Sequence, residues 1–433
     1  MSDYLPAIVA VAVTAFAVVS KRLGRSVVTG TMLFTALGVV VGPQVLDLVD
    51  FTGLLGQPEF ISILLTGTLV VVLFTDASAI NASNWRDDVI PARLLATGLP
   101  LAILFGLLAA LATLGTLEFW EAATLAAMLA PTDAALGKAV VSNPRVPARI
   151  RQSLNIESGL NDGISLPFFL VFLETARAAE TSLAVSDLVV ELVKQVGIAI
   201  AVGVVVGALG SRAIRWGRNS GYASHYWLQI ALLSLALVGY SLATPLGGSG
   251  FIAAWVAGLV FGRADRGADD VDESLPVFAE TTGDLLTMVS FFVFGIYLGP
   301  ALSAATWQIA VYAVLSLAVV RLASVVISLV GCQMRTSTLL YLGWFGPRGL
   351  ATIILTIEVL DNSGLDHAST VADAALVTVG LSVFAHGLTA WWGSNVYADA
   401  FAAHPDGASL AENASPVEAR VPLRSRHPRP SPS

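Results

Sequence analysis

Apolar stretches of about 20 residues follow one another from near residue 4 to near residue 396, and most of the Lys and Arg lie in alternate turns between them, at the adjoining span ends or after residue 396. A helix of about that length spans the ~30 Å hydrocarbon layer of a bilayer. Lipid offers the backbone no hydrogen bonds, so each stretch must satisfy its own N–H and C=O groups as a helix. Candidate spans lie near 4–20, 26–46, 59–80, 90–115, 119–140, 150–174, 186–210, 226–245, 249–262, 276–299, 304–332, 337–360 and 370–396. The expected fold is an all-α polytopic membrane protein of about 13 transmembrane helices. Charged residues make up 12% of the chain, half the ~25% typical of soluble domains, so lipid rather than water solvates most of it.

The first stretch comes after Met-Ser-Asp-Tyr without a basic segment before it and is expected to be a retained helix rather than a cleaved signal. From residue 397 the composition turns to Pro, Ala, Ser and Arg, so 397–433 is expected to be a disordered cytoplasmic tail. The single cysteine, Cys332, excludes an intrachain disulfide.

Basic residues favour the cytoplasmic side of a membrane. Of the 23 Lys and Arg, all but Arg177, Lys194, Arg321 and Arg348 fall in alternate loops, at the span ends beside those loops or in the tail, on one side of the predicted topology. This places the N-terminus outside and the C-terminus in the cytoplasm of a cell whose inner (plasma) membrane holds the protein, and it requires an odd number of spans.

Asp76, Asp133, Glu157, Asp162, Arg321 and Arg348 fall well inside spans. A charge at the bilayer centre costs at least about 2.5–3.5 kcal/mol, so such residues are kept for function or for pairing. Four acids against two bases make an interior that attracts cations. Two spans also look broken. In Ala130-Pro131-Thr132-Asp133, Pro131 leaves the carbonyl of Ala127 without its helical partner, and Pro347 in Gly343-Trp344-Phe345-Gly346-Pro347-Arg348-Gly349 does the same to Gly343. The breaks fall in spans five and twelve. If spans one to six repeat as eight to thirteen, both take the fifth place of their unit. Matched interruptions in two halves point to a transporter's midplane site, so the expected architecture is two inverted six-helix repeats with broken, crossing helices 5 and 12.

Span six supplies Glu157-Ser158-Gly159-Leu160-Asn161-Asp162-Gly163. Ser158 and Asp162 are four residues apart and share a helix face, with Glu157 and Asn161 as a second pair beside them. A hard monovalent cation wants oxygen ligands, and a carboxylate can hold either that cation or a proton. One group that takes either ion but not both is the minimum for exchange. Glu157, on a neighbouring azimuth, is expected to pair with Arg348.

These residues resemble those of cation:proton antiporter family 1, the NhaP-like and eukaryotic sodium/proton exchangers. The likeness rests on Thr132-Asp133 in the broken fifth helix, Glu157-Ser158 with Asn161-Asp162-Gly163 after it, Gly346-Pro347-Arg348-Gly349-Leu350-Ala351, and Val383 to Thr389 in the last span. It covers roughly residues 5 to 396. The resemblance implies Asp162 as the ion- and proton-binding carboxylate, with Ser158, Thr132 and Asp76 as further ligands of a transported Na⁺. Asp133, Asn161, Glu157 and Arg348 would support them. It also implies a homodimer, with a mobile core unit mainly from 90–174 and 304–396 and a dimerisation unit mainly from 1–80 and 186–299. No cofactor beyond the transported Na⁺ and H⁺ and no nucleic-acid partner is implied. Two departures stand out. Ala134 comes after Thr-Asp where the family usually has proline, and Asp76 stands where Glu is common, so its shorter arm is expected to reach the ion through water.

The expected activity is therefore exchange of a monovalent cation, Na⁺ or Li⁺, for H⁺, electroneutral and 1:1, because Asn161 next to Asp162 leaves one ionisable group where two could carry two protons. A K⁺/H⁺ antiporter is the alternative. A cation channel would need a filter loop repeated around a pore, which the sequence lacks. An anionic interior argues against an anion carrier. No HExxH or GxSxG motif and no Cys/His cluster supports an enzyme. Arg321 is expected to contact a helix end, and Lys194 to snorkel. His386 is open to two readings, as a pH-sensing group or as a hydrogen-bonded packing residue.

Overall fold

The computed structural model describes residues 5–23, 26–48, 58–80, 89–133, 136–141, 143–181, 185–266, 275–362 and 364–403. Among these residues the apolar stretches are helices, and no strand occurs. Nine helices among them are long and apolar enough to cross a membrane. They are Leu5–Leu23 (span one), Ile61–Ala79 (three), Val89–Thr113 (four), Ala148–Ala178 (six), Leu192–Asn219 (seven), His225–Leu246 (eight), Val277–Ala304 (ten), Trp307–Ser328 (eleven) and Ala368–Ala402 (thirteen). Span two (Gly30–Val41) and span nine (Gly250–Arg266) are shorter. Spans five and twelve are each two pieces, Phe119–Met128 with Lys138–Val141 and Thr336–Trp344 with Leu350–Asn362. The expected all-α, thirteen-span order is therefore present, with interruptions in the fifth and twelfth places. The last helix continues to Ala402, past the expected boundary at 397, and residues 404–433 of the expected tail lie outside the described residues.

The fourth place of each half also departs from α geometry. Span four contains a π-helical stretch at Leu94–Gly98 and span eleven one at Leu315–Val320. Such a stretch inserts a residue and rotates the rest of the helix about its axis, and it often sits at a functional site. Here Arg321 comes directly after the second of them.

Packing is set by small residues. Span two meets span ten, span three meets span nine, and span nine lies against seven and eight; spans four, five and six and spans eleven, twelve and thirteen pack mainly among themselves. At the contact of spans two and ten the backbones touch. A Cβ on Gly38 would lie 2.1 Å from the carbonyl oxygen of Phe292, and one on Gly295 would lie 2.2 Å from that of Thr35. Lipid tails do not drive helices together as water does, so close backbone approach and its dispersion contacts carry much of the association. Gly295→Ala should destabilise the protein by about 1–3 kcal/mol, the usual penalty of overpacking, and Gly295→Val by more. Fluorescence-detected thermal unfolding of the purified protein in detergent checks this. An unchanged midpoint for Gly295→Val would mean that the two backbones are not in contact.

Candidate functional site

The two interrupted helices meet at their breaks. Span five stops at Met128 and span twelve restarts at Leu350, so one break exposes backbone carbonyls and the other exposes backbone amides. Each is satisfied by a charged side chain from the other. The Arg348 guanidinium donates from Nη1 to the carbonyls of Ala130 and Pro131, the latter at 2.9 Å. The Asp133 carboxylate accepts from Leu350 N–H at 2.7 Å and from Leu136 N–H at 3.2 Å. The backbones are also joined directly, with Asp133 N–H donating to Pro347 C=O at 2.8 Å, and Thr352 Oγ1 donates to Met128 C=O at 2.7 Å. A cation thus stands at a carbonyl end and an anion at an amide end, the favourable sense for both half-helix dipoles.

Span thirteen braces the break in span twelve. Arg348 N–H donates to Ser382 Oγ at 2.7 Å, and His386 Nε2 donates to the carbonyl of Trp344 at 2.9 Å. Ser382 and His386 are four residues apart, hence on one face, and reach the two edges of the gap. His386 is buried and hydrogen-bonded, with Ser382 Oγ 3.2 Å from its Nδ1.

Span six runs past the crossing and presents the oxygen-rich face. Ser158 Oγ and Thr132 Oγ1 are hydrogen-bonded at 3.0 Å, and Asn161 Nδ2 donates to Thr132 Oγ1 at 2.8 Å. Thr132, Ser158 and Asn161 are buried, and Asn161 Oδ1 has no hydrogen-bond partner among the described residues. Asp162 is the next residue, partly accessible, within electrostatic reach of Asp133 and Asp76. Those three carboxylates do not converge, and among the described residues no group of three or more His, Cys, Asp or Glu is close enough to hold a metal ion. The structure gathers instead a cluster of neutral oxygens from Thr132, Ser158 and Asn161, with Asp133 and Asp162 each adjacent in sequence to a member of it. A small cavity lined by Asp133, Ser158, Asn155, Leu154, Phe345 and Pro347 adjoins this cluster, toward the end of the bundle where span six begins.

The expected partnership of Glu157 is corrected. Glu157 pairs with Arg321, not Arg348: Arg321 Nη1 and Nη2 grip the two carboxylate oxygens, the second at 2.8 Å. The helix-end contact expected of Arg321 is present as well, with Nη2 lying 3.4 Å from Leu342 C=O, but its main partner is the carboxylate. Glu157, Arg321 and Arg348 are 2%, 4% and 0% exposed, so neither base can turn to water. Arg348 is unavailable because the carbonyls of the span-five break already occupy it. Arg321 is available because the π-helical stretch before it turns it toward span six. The sequence signal for this pairing is the second intramembrane arginine itself, which needs an anion somewhere in the protein. Ser382 also escapes the sequence reading, although a serine one turn before His386 in an apolar span is visible.

The family model described as "Sodium/hydrogen exchanger, transmembrane" matches residues 8–392. The chain belongs to the sodium/hydrogen exchanger family. Among its relatives, a protein of Schizosaccharomyces pombe named a probable Na⁺/H⁺ antiporter is 26% identical over 349 residues, 74% of this chain and 44% of the relative. The K⁺/H⁺ antiporter NhaP of Alkalimonas amylolytica is 27% identical over 346 residues, 78% of this chain and 57% of that protein. This exchanger-family chain thus spans about half the length of the curated relatives it matches. The fold matches the solved structure of the sodium proton antiporter MjNhaP1 from Methanocaldococcus jannaschii at pH 8 with a TM-score of 0.73 and 21% identity, covering 89% of this chain and 98% of that one.

The corrected ion pair makes a prediction for this exchanger-family protein. Removing one partner of a buried pair strands the other charge, at about 3–5 kcal/mol. Glu157→Gln and Arg321→Ala should each lower thermal stability by that order, and the double variant should recover part of the loss. In a double-mutant cycle on unfolding midpoints, coupling of Glu157 to Arg321 should exceed its coupling to Arg348. The reverse ranking would refute the assignment.

Proposed function

We propose that this chain exchanges a monovalent cation, Na⁺ foremost and Li⁺ with it, for H⁺ by alternating access. The observation that carries the reading is Asp162 beside the Thr132–Ser158–Asn161 cluster at a double helix break. The cluster offers a dehydrating cation hard oxygens, and the carboxylate can take the cation or a proton but not both. Asn161 Oδ1, a buried acceptor with no hydrogen-bond partner among the described residues, is the kind of atom a bound cation satisfies. Asp162, Ser158 and Thr132 are the proposed ligands, and Asp76 contributes from span three at longer range. Asp133 and Arg348 keep the crossing open, and Glu157 is paired with Arg321.

The mobile core is assigned to 90–174 and 304–396, and a static, dimerising unit to 1–80 and 186–299. The grouping of helices that pack mainly among themselves supports this division. The asymmetry of basic loops supports a cytoplasmic C-terminus in the inner membrane. Exchange of K⁺ for H⁺ is the second reading, favoured by the naming of the Alkalimonas relative, and hard oxygen ligands suit both ions. Internal pH of proteoliposomes, followed as Na⁺, Li⁺ and K⁺ are added in turn, separates the two.

Asp162→Asn removes the group that alternates between ions. Cation-driven proton flux in proteoliposomes should fall below about a tenth of the wild-type rate, since losing one charge-assisted ligand is worth ~1.5–3 kcal/mol or more. A folded variant that retains more would sink the assignment. Ser158→Ala should act mainly on the apparent KM for the cation.

With one titrating carboxylate, the cation-loaded and proton-loaded carriers bear equal charge, so exchange should ignore membrane potential. Moving a net charge would couple to about 2.3 kcal/mol per 100 mV. Initial rates of Na⁺-driven pH change should match under potassium–valinomycin potentials of opposite sign. Rates that track the voltage would mean that a second carboxylate, Asp133 or Asp76, carries a proton.

A further inference from the structure

Span six carries a glycine on either side of the Asp162 face, Gly159 and Gly163, and both abut the neighbouring unit. Side chains advance 100° per residue around a helix, so Asp162 stands at the border between Ser158 and this glycine face. Trp255 of span nine fills the notch. A Cβ on Gly163 would lie 2.2 to 2.5 Å from three atoms of its indole ring. Its Nε1–H donates to the carbonyl of Gly159 at 3.3 Å, and the ring joins an apolar patch with Ile80, Leu95, Ile156 and Leu160. One turn earlier on span nine, Phe251 lines a second cavity with Ser62, Thr66, Ile354 and Glu358. That cavity lies where spans three and nine begin and span twelve ends, the opposite end of the bundle from the Asn155 cavity.

We propose that Trp255 is the gate on the Glu358 side: its indole, seated in the Gly159–Gly163 notch, separates Asp162 from the cavity of Ser62, Thr66 and Glu358, through which the cation passes when the ring withdraws. The assignment rests on the exchange reading above. The carboxylate and two hydroxyls give a cation polar footing before it reaches the gate, and the apolar ring denies it a hydrated path beyond. The ring is held by packing and by one long hydrogen bond to a helix carbonyl, so it can leave without stranding a buried charge. Any side chain larger than hydrogen at residue 163 would evict it. A sliding motion of span six past span nine would do the same by carrying the notch away.

Accessibility tests this without relying on transport. In a Cys332→Ser background, Ser158→Cys is labelled by a membrane-impermeant methanethiosulfonate in right-side-out and inverted vesicles, with Ser62→Cys in the same background marking the Glu358 side. Adding Trp255→Ala should speed labelling of Ser158→Cys from that side about tenfold, as a path open ~10% of the time becomes open throughout. The rate from the Asn155 side should stay the same. Trp255→Phe, which keeps a ring but loses the N–H, should fall between, and Gly163→Ala, with the indole evicted, should match Trp255→Ala. If Trp255→Ala does not fold, the Phe and Gly163 variants decide. Unchanged labelling from the Glu358 side in the folded variants overturns the gate. Wild-type proteoliposomes that show no cation-driven proton flux would overturn the exchange reading instead, leaving the labelling result to stand alone.

Discussion

The crossing of spans five and twelve is the constraint on which the rest depends. Two helices broken at membrane depth expose backbone groups that lipid cannot satisfy, and each unsatisfied group costs several kcal/mol. The chain meets this with a reciprocal exchange: Arg348 from one break covers the carbonyls of Ala130 and Pro131, and Asp133 from the other covers the amide of Leu350. Neither charge could be buried alone, and neither break could persist without the opposite charge. Ser382 and His386 on span thirteen then brace the two edges of the span-twelve gap. Polar backbone at mid-membrane becomes a place where an ion can be bound.

The second buried pair is a consequence of the first. With Arg348 committed to carbonyls, Glu157 needs a separate counter-ion, and Arg321 provides it in a two-oxygen grip that also reaches Leu342. Spans six, eleven and twelve are thereby tied around one charge-neutral knot beside Asp162. Both buried arginines are spoken for, one by carbonyls and one by Glu157, so neither is left to neutralise Asp162. On the proposed exchange Asp162 alternates between two cations, and a fixed positive partner would compete with both.

Much of this was legible in the chain. The spans were readable because lipid forces each apolar run into a helix, and the breaks because proline and glycine cannot continue one. That Ser158 and Asp162 share one face of span six, with Asn161 beside them, was readable from helical spacing. The partner of Glu157 was not. Hydropathy and spacing assume α geometry, and the π-helical residues before Arg321 turn that side chain to a face the assumption does not predict. The notch at Gly159 and Gly163 was equally hidden, since its occupant comes from Trp255, nearly a hundred residues away, and tryptophans in such chains ordinarily read as interface anchors.

The π-helical stretch Leu315–Val320 makes span length itself part of the chemistry. One residue is threaded into that helix beyond the number an α-helix of the same rise would hold, and the azimuth of everything after it is set by the surplus. Deleting any one residue between 315 and 320 would leave Arg321 in the chain, unaltered in identity, yet swing it about 100° away from span six, the angle of one helical residue. The pairing of Glu157 with Arg321 is thus secured by a count as much as by a side chain. Insertions and deletions in this apolar segment, which hydropathy would rate as harmless, act on the ion pair of Glu157 in span six.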